Sequence, residues 1–243
     1  MDKTYELKRT EHVQIKHPKG GLDQRFCSAL LTFRAVGPQN VPPMLVFPLQ
    51  PFKERKGREV IKVDPFRATN KVTRNEQKEY DNRVVVVFDP TMLASIDVMS
   101  AFAQHFRDHT GVTTEKLVSM DNYYSHTHPE FQKQMRENNC LIDYIPPDTS
   151  DLIQTNDRGL GKLWKDKVSS RIEQHLEDNW DVWFGGQVTA KKRRILLTKF
   201  AAESWQELCH QQEVITRSSK SYQLTRNSHK GIFNYFPTSS HRN

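Results

Sequence analysis

Two aspartates, Asp121 and Asp157, stand where their residue type and spacing could do chemistry. Asp121 directly follows the short apolar run Leu117 to Met120, which reads as a strand. A carboxylate there sits at the carboxyl edge of a parallel sheet, where open α/β folds place their ligands. Asp157 stands at the entrance of a long helical pattern, after the turn-rich PPDTSDLIQTND. The chain between them carries one helix and one strand, enough to go out and come back, so the two side chains can meet. Paired carboxylates at such an edge suit Mg²⁺ or Mn²⁺, because hard cations prefer oxygen ligands and keep positions open for water and phosphate oxygens. Two such ions ~3.5–4 Å apart activate an attacking oxygen and stabilise the leaving one in phosphodiester cleavage or transfer. A third acid is needed to hold the second ion well. The same residues also suit plainer roles, Asp121 ending a strand and Asp157 capping a helix.

Other reactive types form weaker patterns. His105, His109, His126 and His128 are suitable metal ligands, but no Cys or further His completes a known ligand spacing, and His105 and His109 are expected to face solvent. Asp89 also follows an apolar strand, with capping of a helix over Met92 to Asp108 as its expected role. Lys191, Lys192, Arg193 and Arg194 form a basic cluster that reads equally as a localisation signal or phosphate contact and as a solvated helix face. No G-x-x-x-x-G-K-[ST], G-x-G-x-x-G or G-x-S-x-G occurs, which argues against a nucleotide-binding loop or a serine hydrolase.

The elements that must position these groups follow from hydrophobic period. His12 to Lys16 alternates apolar and polar, while Phe26 to Phe33 and Met44 to Phe47 read as strands. The segment from Pro51 to Tyr80 is polar, charge-rich and weakly periodic, and is expected to be an insertion or long surface loop. Val84 to Phe88 is the clearest strand; Leu93, Ile96, Met99, Phe102, Ala103 and Phe106 then define an amphipathic helix ending near Gly111. Leu117 to Met120, a helix from Pro129 to about Asn138, and Leu141 to Ile145 imply a parallel strand pair with a helical crossover. Two cover helices follow, one through Leu160, Trp164, Val168, Ile172 and Leu176, the other from about Arg194 through Leu197, Ala201, Trp205 and Leu208. From Thr216 onward the polar composition predicts a disordered tail over 216–243.

Bulk properties set the frame. The 243 residues suffice for one sizeable core with appendages, and the formal charge of +7 with a pI near 9.3 favours a polyanionic partner such as DNA. A mean hydropathy of −0.75 places much of the polarity in loops and tails. The cysteines Cys27, Cys140 and Cys209 lack any C-x-x-C spacing, so neither a zinc ribbon nor a disulfide framework is supported. No apolar leader follows Met1 and no run approaches the ~18 residues of a membrane span, so a soluble intracellular protein with no membrane partner is expected.

The block LVSMDNYYSHTHPEFQKQMRENNCLIDYIPPDTSDLIQTNDRGLGKLWKDKV resembles the catalytic core of the DDE superfamily endonucleases, the pogo, Tigger and jerky-like transposases. A strand ending in D-N, an S-H, a P-E-F helix, an apolar strand ending in P-P and a Q-x-x-D opening a helix come in the family's order. The upstream KTYELKRTEHVQIKHPKGGLDQRFCSALLTF and YDNRVVVVFDP extend the resemblance, which spans Lys3 to Val168. It implies an α/β, RNase H-like mixed sheet flanked by helices. It also implies that Asp121 and Asp157 are the second and third catalytic acids and ligands of Mg²⁺ or Mn²⁺. DNA as partner, a nuclear location and compatibility with a homodimer follow from the same resemblance. The family's Q-P-L-D appears as Gln154, Thr155, Asn156 and Asp157; Tyr123 departs from the usual residue, and His126 keeps the S-H position.

The resemblance also implies a first acid, on a central strand ahead of the K-T-Y segment. Here Met1 and Asp2 directly precede Lys3, Thr4 and Tyr5, and with no apolar strand before it Asp2 reads as a terminal residue. The expectation is an RNase H-like core over 1–180 that lacks its first central strand and carries a polar insertion at about 51–80. A helical cover over 181–215 and the tail complete it. Such a core is a transposase-derived domain, catalytically incomplete as it stands. Its alternative is a noncatalytic, domesticated DNA-binding or protein-interaction module of the same fold, with Val13 to Lys16 in the place of the lost strand.

Overall fold

A computed structural model describes residues 27–34, 37–145, 159–184, 188–211 and 213–215. The segment His12 to Lys16, the residue Asp157 and the tail 216–243 lie outside them. The described chain is a mixed α/β protein built on small sheets.

At its centre is the apolar segment Met44–Phe47 (β2), fully buried along its length. It pairs antiparallel with Ser28–Leu30 (β1) and parallel with Val85–Phe88 (β5), Met44 opposite Val85 and Phe47 opposite Phe88. Because successive strand side chains point to opposite faces, the two strands divide their residues between two cores. Leu45, Phe47, Val86 and Phe88 pack against Leu160, Trp164, Val168, Ala201 and Trp205. These come from Leu160–Asp178 (α4) and Ala190–Cys209 (α6), which are joined through Trp180–Phe184 (α5). Met44, Val46 and Val87 pack instead against Val98, Met99, Phe102, Phe131 and Met135. Those belong to Ile96–Thr110 (α2) and Pro129–Glu137 (α3). A strand buried on both faces reads as a continuous apolar run rather than an alternation, as these two strands do. Each such side chain contributes roughly 1.5–3 kcal/mol on burial.

The layer made by α2 and α3 also covers a second sheet. Lys116–Met120 (β6) and Cys140–Tyr144 (β7) pair in parallel, Lys116 opposite Cys140 and Met120 opposite Tyr144. Val118, Met120 and Ile142 turn into the α2–α3 core. On the other face Leu117 and Leu141 are 54% and 50% exposed. The parallel pair and its helical crossover are therefore as the sequence predicts.

Two expectations are corrected. The helix before Gly111 begins at Ile96 rather than Met92: the Ser95 hydroxyl accepts from the Val98 amide, and Gly111, at φ 68°, closes the far end. Asp89 acts one step back, accepting from the Thr91 amide and hydroxyl and from the Ser95 hydroxyl, so it organises the turn that presents the cap. The segment from Pro51 is not a loop but a hairpin of Pro51–Lys56 (β3) and Glu59–Ala68 (β4). Its two-residue turn places Gly57 at φ 65°, a conformation glycine adopts without steric cost. The register steps from Glu54 opposite Lys62 to Arg55 opposite Val60, leaving Ile61 as a bulge. That extra residue breaks the two-residue period, which hid the strand in the sequence.

After the hairpin, Lys71–Glu76 (α1) and the 3-10 turn Gln77–Glu79 fasten onto α6. Glu76 is 2% exposed and receives Arg194 through two bonds, Nε to Oε1 at 2.6 Å and Nη2 to Oε2 at 2.8 Å. The Tyr80 hydroxyl donates to the same Oε1 at 2.6 Å, and the Asp81 amide donates to Thr198 Oγ1 at 3.1 Å. Burial alone would push the Glu76 carboxyl up, but the bonds from Arg194 and Tyr80 and the guanidinium charge outweigh it and hold it below the usual carboxylate range. Lys191 pairs with Glu79 at 2.5 Å. Lys191 and Arg194 of the basic cluster are thus engaged within the fold.

Glu76→Gln should cost about 3–5 kcal/mol in urea unfolding, because it leaves a part-buried guanidinium short of its counter-charge. A carboxyl depressed in the folded state stabilises above its unfolded pKa, and that contribution disappears as pH falls through the folded value. The variant should therefore show a flatter acid limb of stability than the wild type.

Candidate functional site

Asp121 occupies the rim the sequence assigns to it, the first residue beyond the carboxyl end of β6. Its backbone position follows from the strand period: Val118 and Met120 point into the α2–α3 core, so Ser119 and Asp121 take the opposite face. The side chain is 37% exposed. Oδ1 accepts from the Tyr123 amide at 3.2 Å, an Asx-type turn. The same oxygen lies 2.6 Å from His126 Nδ1, which acts as the donor to a carboxylate. His126 is itself positioned. Its carbonyl accepts from the Tyr144 hydroxyl at 2.8 Å, that hydroxyl accepts from Gln132 Nε2 at 3.0 Å, and its ring lies 6.3 Å from Phe131. The carboxyl end of β7 and the first turns of α3 thus hold the imidazole against Asp121.

The face that carries Asp121 carries a second acid that sequence reasoning missed. Asp143 is in register with Ser119, and Ser119 Oγ donates to Asp143 Oδ2 at 3.2 Å. Residues in register share a face, so Ser119, Asp121 and Asp143 lie together on the solvent side of β6 and β7. The signal available in the strand Leu141 to Ile145 was its single acid, Asp143, set within an apolar run.

The four histidines do not form one site. His126 bonds Asp121, whereas His128 Nδ1 accepts from the Glu130 amide at 3.3 Å as the cap of α3. His105, expected to face solvent, is 3% exposed, and its Nε2 lies 2.9 Å from the Pro42 carbonyl, to which it donates. It ties α2 to the chain entering β2. His109 stacks edge-on to it at 4.5 Å and bonds the His105 carbonyl through Nδ1 at 2.9 Å. No group of three or more His, Cys, Asp or Glu able to hold a metal ion is gathered among the described residues. Asp157 lies outside them, so the convergence of the two aspartates is not part of the described geometry.

A cleft of about 720 Å³ opens elsewhere, between β4, α2 and α3. It is lined by charges of both signs, among them Lys62, Asp64, Asp97, Arg107 and Glu130, and neither Asp121 nor Asp143 lines it. No helix among the described residues is long and apolar enough to cross a membrane. Compared with protein-family models, curated proteins and solved structures, the chain matches none.

The buried imidazole gives a pH prediction. Burial pushes the His105 pKa down, against the bond to Pro42 and helped by neighbouring His109. Below about pH 6.5 the unfolded chain takes up a proton that the folded chain resists, so stability should fall as pH drops through that value. His105→Gln, which keeps a donor for Pro42 without titrating, should flatten that slope in urea unfolding measured across pH.

Proposed function

We propose that this chain is an RNase H-like domain of the DDE transposase lineage that acts on DNA by binding it, without completing the cleavage chemistry of that lineage. One observation carries the reading: the acid of the D-N motif, Asp121, stands at the carboxyl end of a parallel strand pair, with the S-H histidine bonded to it at 2.6 Å. The order of strand, S-H turn, P-E-F helix and strand agrees with the core that the sequence resembles. The formal charge of +7 suits a phosphate polymer, and the nucleus is the compartment that fits such a partner.

In the complete form, the resemblance gives Asp121 and Asp157 the task of holding Mg²⁺ or Mn²⁺. Of these two, Asp121 is described, its Oδ1 accepting from His126 and from the Tyr123 amide; Asp157 lies outside the described residues. The net positive charge supports binding of duplex in either form, and a nicking assay separates the binding form from the cleaving one.

Fluorescence anisotropy with a labelled duplex and a supercoiled-plasmid nicking assay test this reading. The purified chain should bind duplex with an affinity that falls linearly on a log–log salt plot, and should not nick with Mg²⁺ or Mn²⁺. Asp121→Asn should bind equally well, with its fold checked by circular dichroism. Absence of duplex binding at low salt would overturn the DNA assignment. Metal-dependent nicking that disappears in Asp121→Asn would overturn the noncatalytic one.

A further inference from the structure

Among the described residues, the β3–β4 hairpin differs from the other strand pairs in what it leaves uncovered. From Lys53 through Lys62 every residue is exposed, whereas β2 and β5 are enclosed and β6 and β7 have one covered face. An isolated two-stranded ribbon is marginally stable in water and buries little of its own surface. Here its base is secured instead. Arg67 stacks over Phe52 at 4.4 Å, Gln77 Nε2 donates to the Phe66 carbonyl at 2.9 Å, and the Thr69 amide donates to the Gln50 carbonyl at 3.0 Å. The anchored base holds out an arm whose residues from Lys53 to Lys62 are exposed.

That arm is charged asymmetrically. Between Lys53 and Lys62 stand five basic and two acidic side chains. The register puts Glu54 opposite Lys62 and Lys56 opposite Glu59, so the face with both acids is balanced. The other face pairs Lys53 with Val63 and Arg55 with Val60 and carries no acid, and Arg58 lies in the adjoining turn. Lys53, Arg55 and Arg58 form no ion pair among the described residues. Val60 and Ile61 are exposed beside them.

We propose that this ribbon is a duplex-DNA-binding arm, with Lys53, Arg55 and Arg58 on backbone phosphates and the aliphatic side chains against the groove wall. The charge is complementary, and the shape fits. Paired strands ≈ 4.8 Å apart make a ribbon that a major groove ≈ 12 Å wide admits, and phosphate contacts of this kind fix orientation. Gly57 at the tip has nothing within 4 Å of where a Cβ would stand, so the turn is open to a close partner. The inference rests on the DNA-directed reading for its partner and on the hairpin's own register for its residues.

The test compares full-length wild type, K53Q/R55Q/R58Q, and a control of equal charge change on exposed helix positions, K133Q/K162Q/K165Q, by duplex anisotropy over a salt series. Circular dichroism and thermal midpoints establish that all three fold alike. The ribbon variant should bind roughly tenfold or more weakly near 0.1 M salt, with a log–log slope shallower by about 2–3, since each phosphate no longer neutralised removes one unit or slightly less. The control should keep the wild-type slope. An unchanged slope in the ribbon variant, or equal weakening in both variants, would overturn the arm while leaving DNA binding by the chain intact. Displacement of duplex by polyglutamate at equal charge concentration would overturn it in favour of an acidic protein partner. Failure of the wild type to bind duplex at all removes the DNA-directed reading and this inference with it.

Discussion

The ladder between Met44–Phe47 and Val85–Phe88 is the constraint on which the rest of the structure depends. A parallel pair cannot be closed by a tight turn, so the chain must leave the sheet and return. Here it leaves through the hairpin and α1. Both faces of the pair are then covered, and the alternation of side chains sends Leu45, Phe47, Val86 and Phe88 to one helix layer and Met44, Val46 and Val87 to the other. A shift of one residue in register would exchange the two sets and strand each against the wrong helices. The same α2–α3 layer carries β6 and β7, so the position of Asp121 is inherited from the packing of the central strands through Phe131 and Met135.

Charge in this protein divides into an inward and an outward share. Arg194 and Lys191 reach Glu76 and Glu79, and Arg171 reaches Glu207 at 2.8 Å with Lys167 paired to the same carboxylate. These pairs lace α1 to α6 and α4 to α6, where guanidinium forks match carboxylates in geometry. The hairpin keeps its cations outward. Net charge alone does not distinguish the two shares, although only the second is available to a polyanion. This is why the four-residue basic run in α6, conspicuous in the sequence, is the weaker candidate for a phosphate contact, and the dispersed cations of the hairpin are the stronger one.

At the rim, the bond between Asp121 and His126 links an acid at a strand end to an imidazole five residues on. The link is made by the Tyr123–His126 turn and by Tyr144 from the neighbouring strand. It orients the imidazole at the strand end. The rim is thus organised as a hydrogen-bonded corner of the sheet. Asp143 beside it adds negative charge to a face that is otherwise marked by Leu117 and Leu141.

Local pattern in the amino-acid sequence determined the apolar strands, the amphipathic α2, the parallel β6–β7 pair with its crossover, and the strand-end position of Asp121. Each of these is encoded by residues within one element and its immediate flanks, through side-chain period and turn chemistry. Tertiary structure alone decided the hairpin, the burial of His105, the capture of Arg194 by Glu76 and the sharing of a face by Asp121 and Asp143. The physical reasons are a broken period in the hairpin and partners distant along the chain in the other three. A bulge at Ile61 hides a strand from any periodic test, and His105 meets its carbonyl acceptor on a loop 63 residues away. The partner of Arg194 lies 118 positions distant, and the two aspartates become neighbours only when β6 and β7 pair in register.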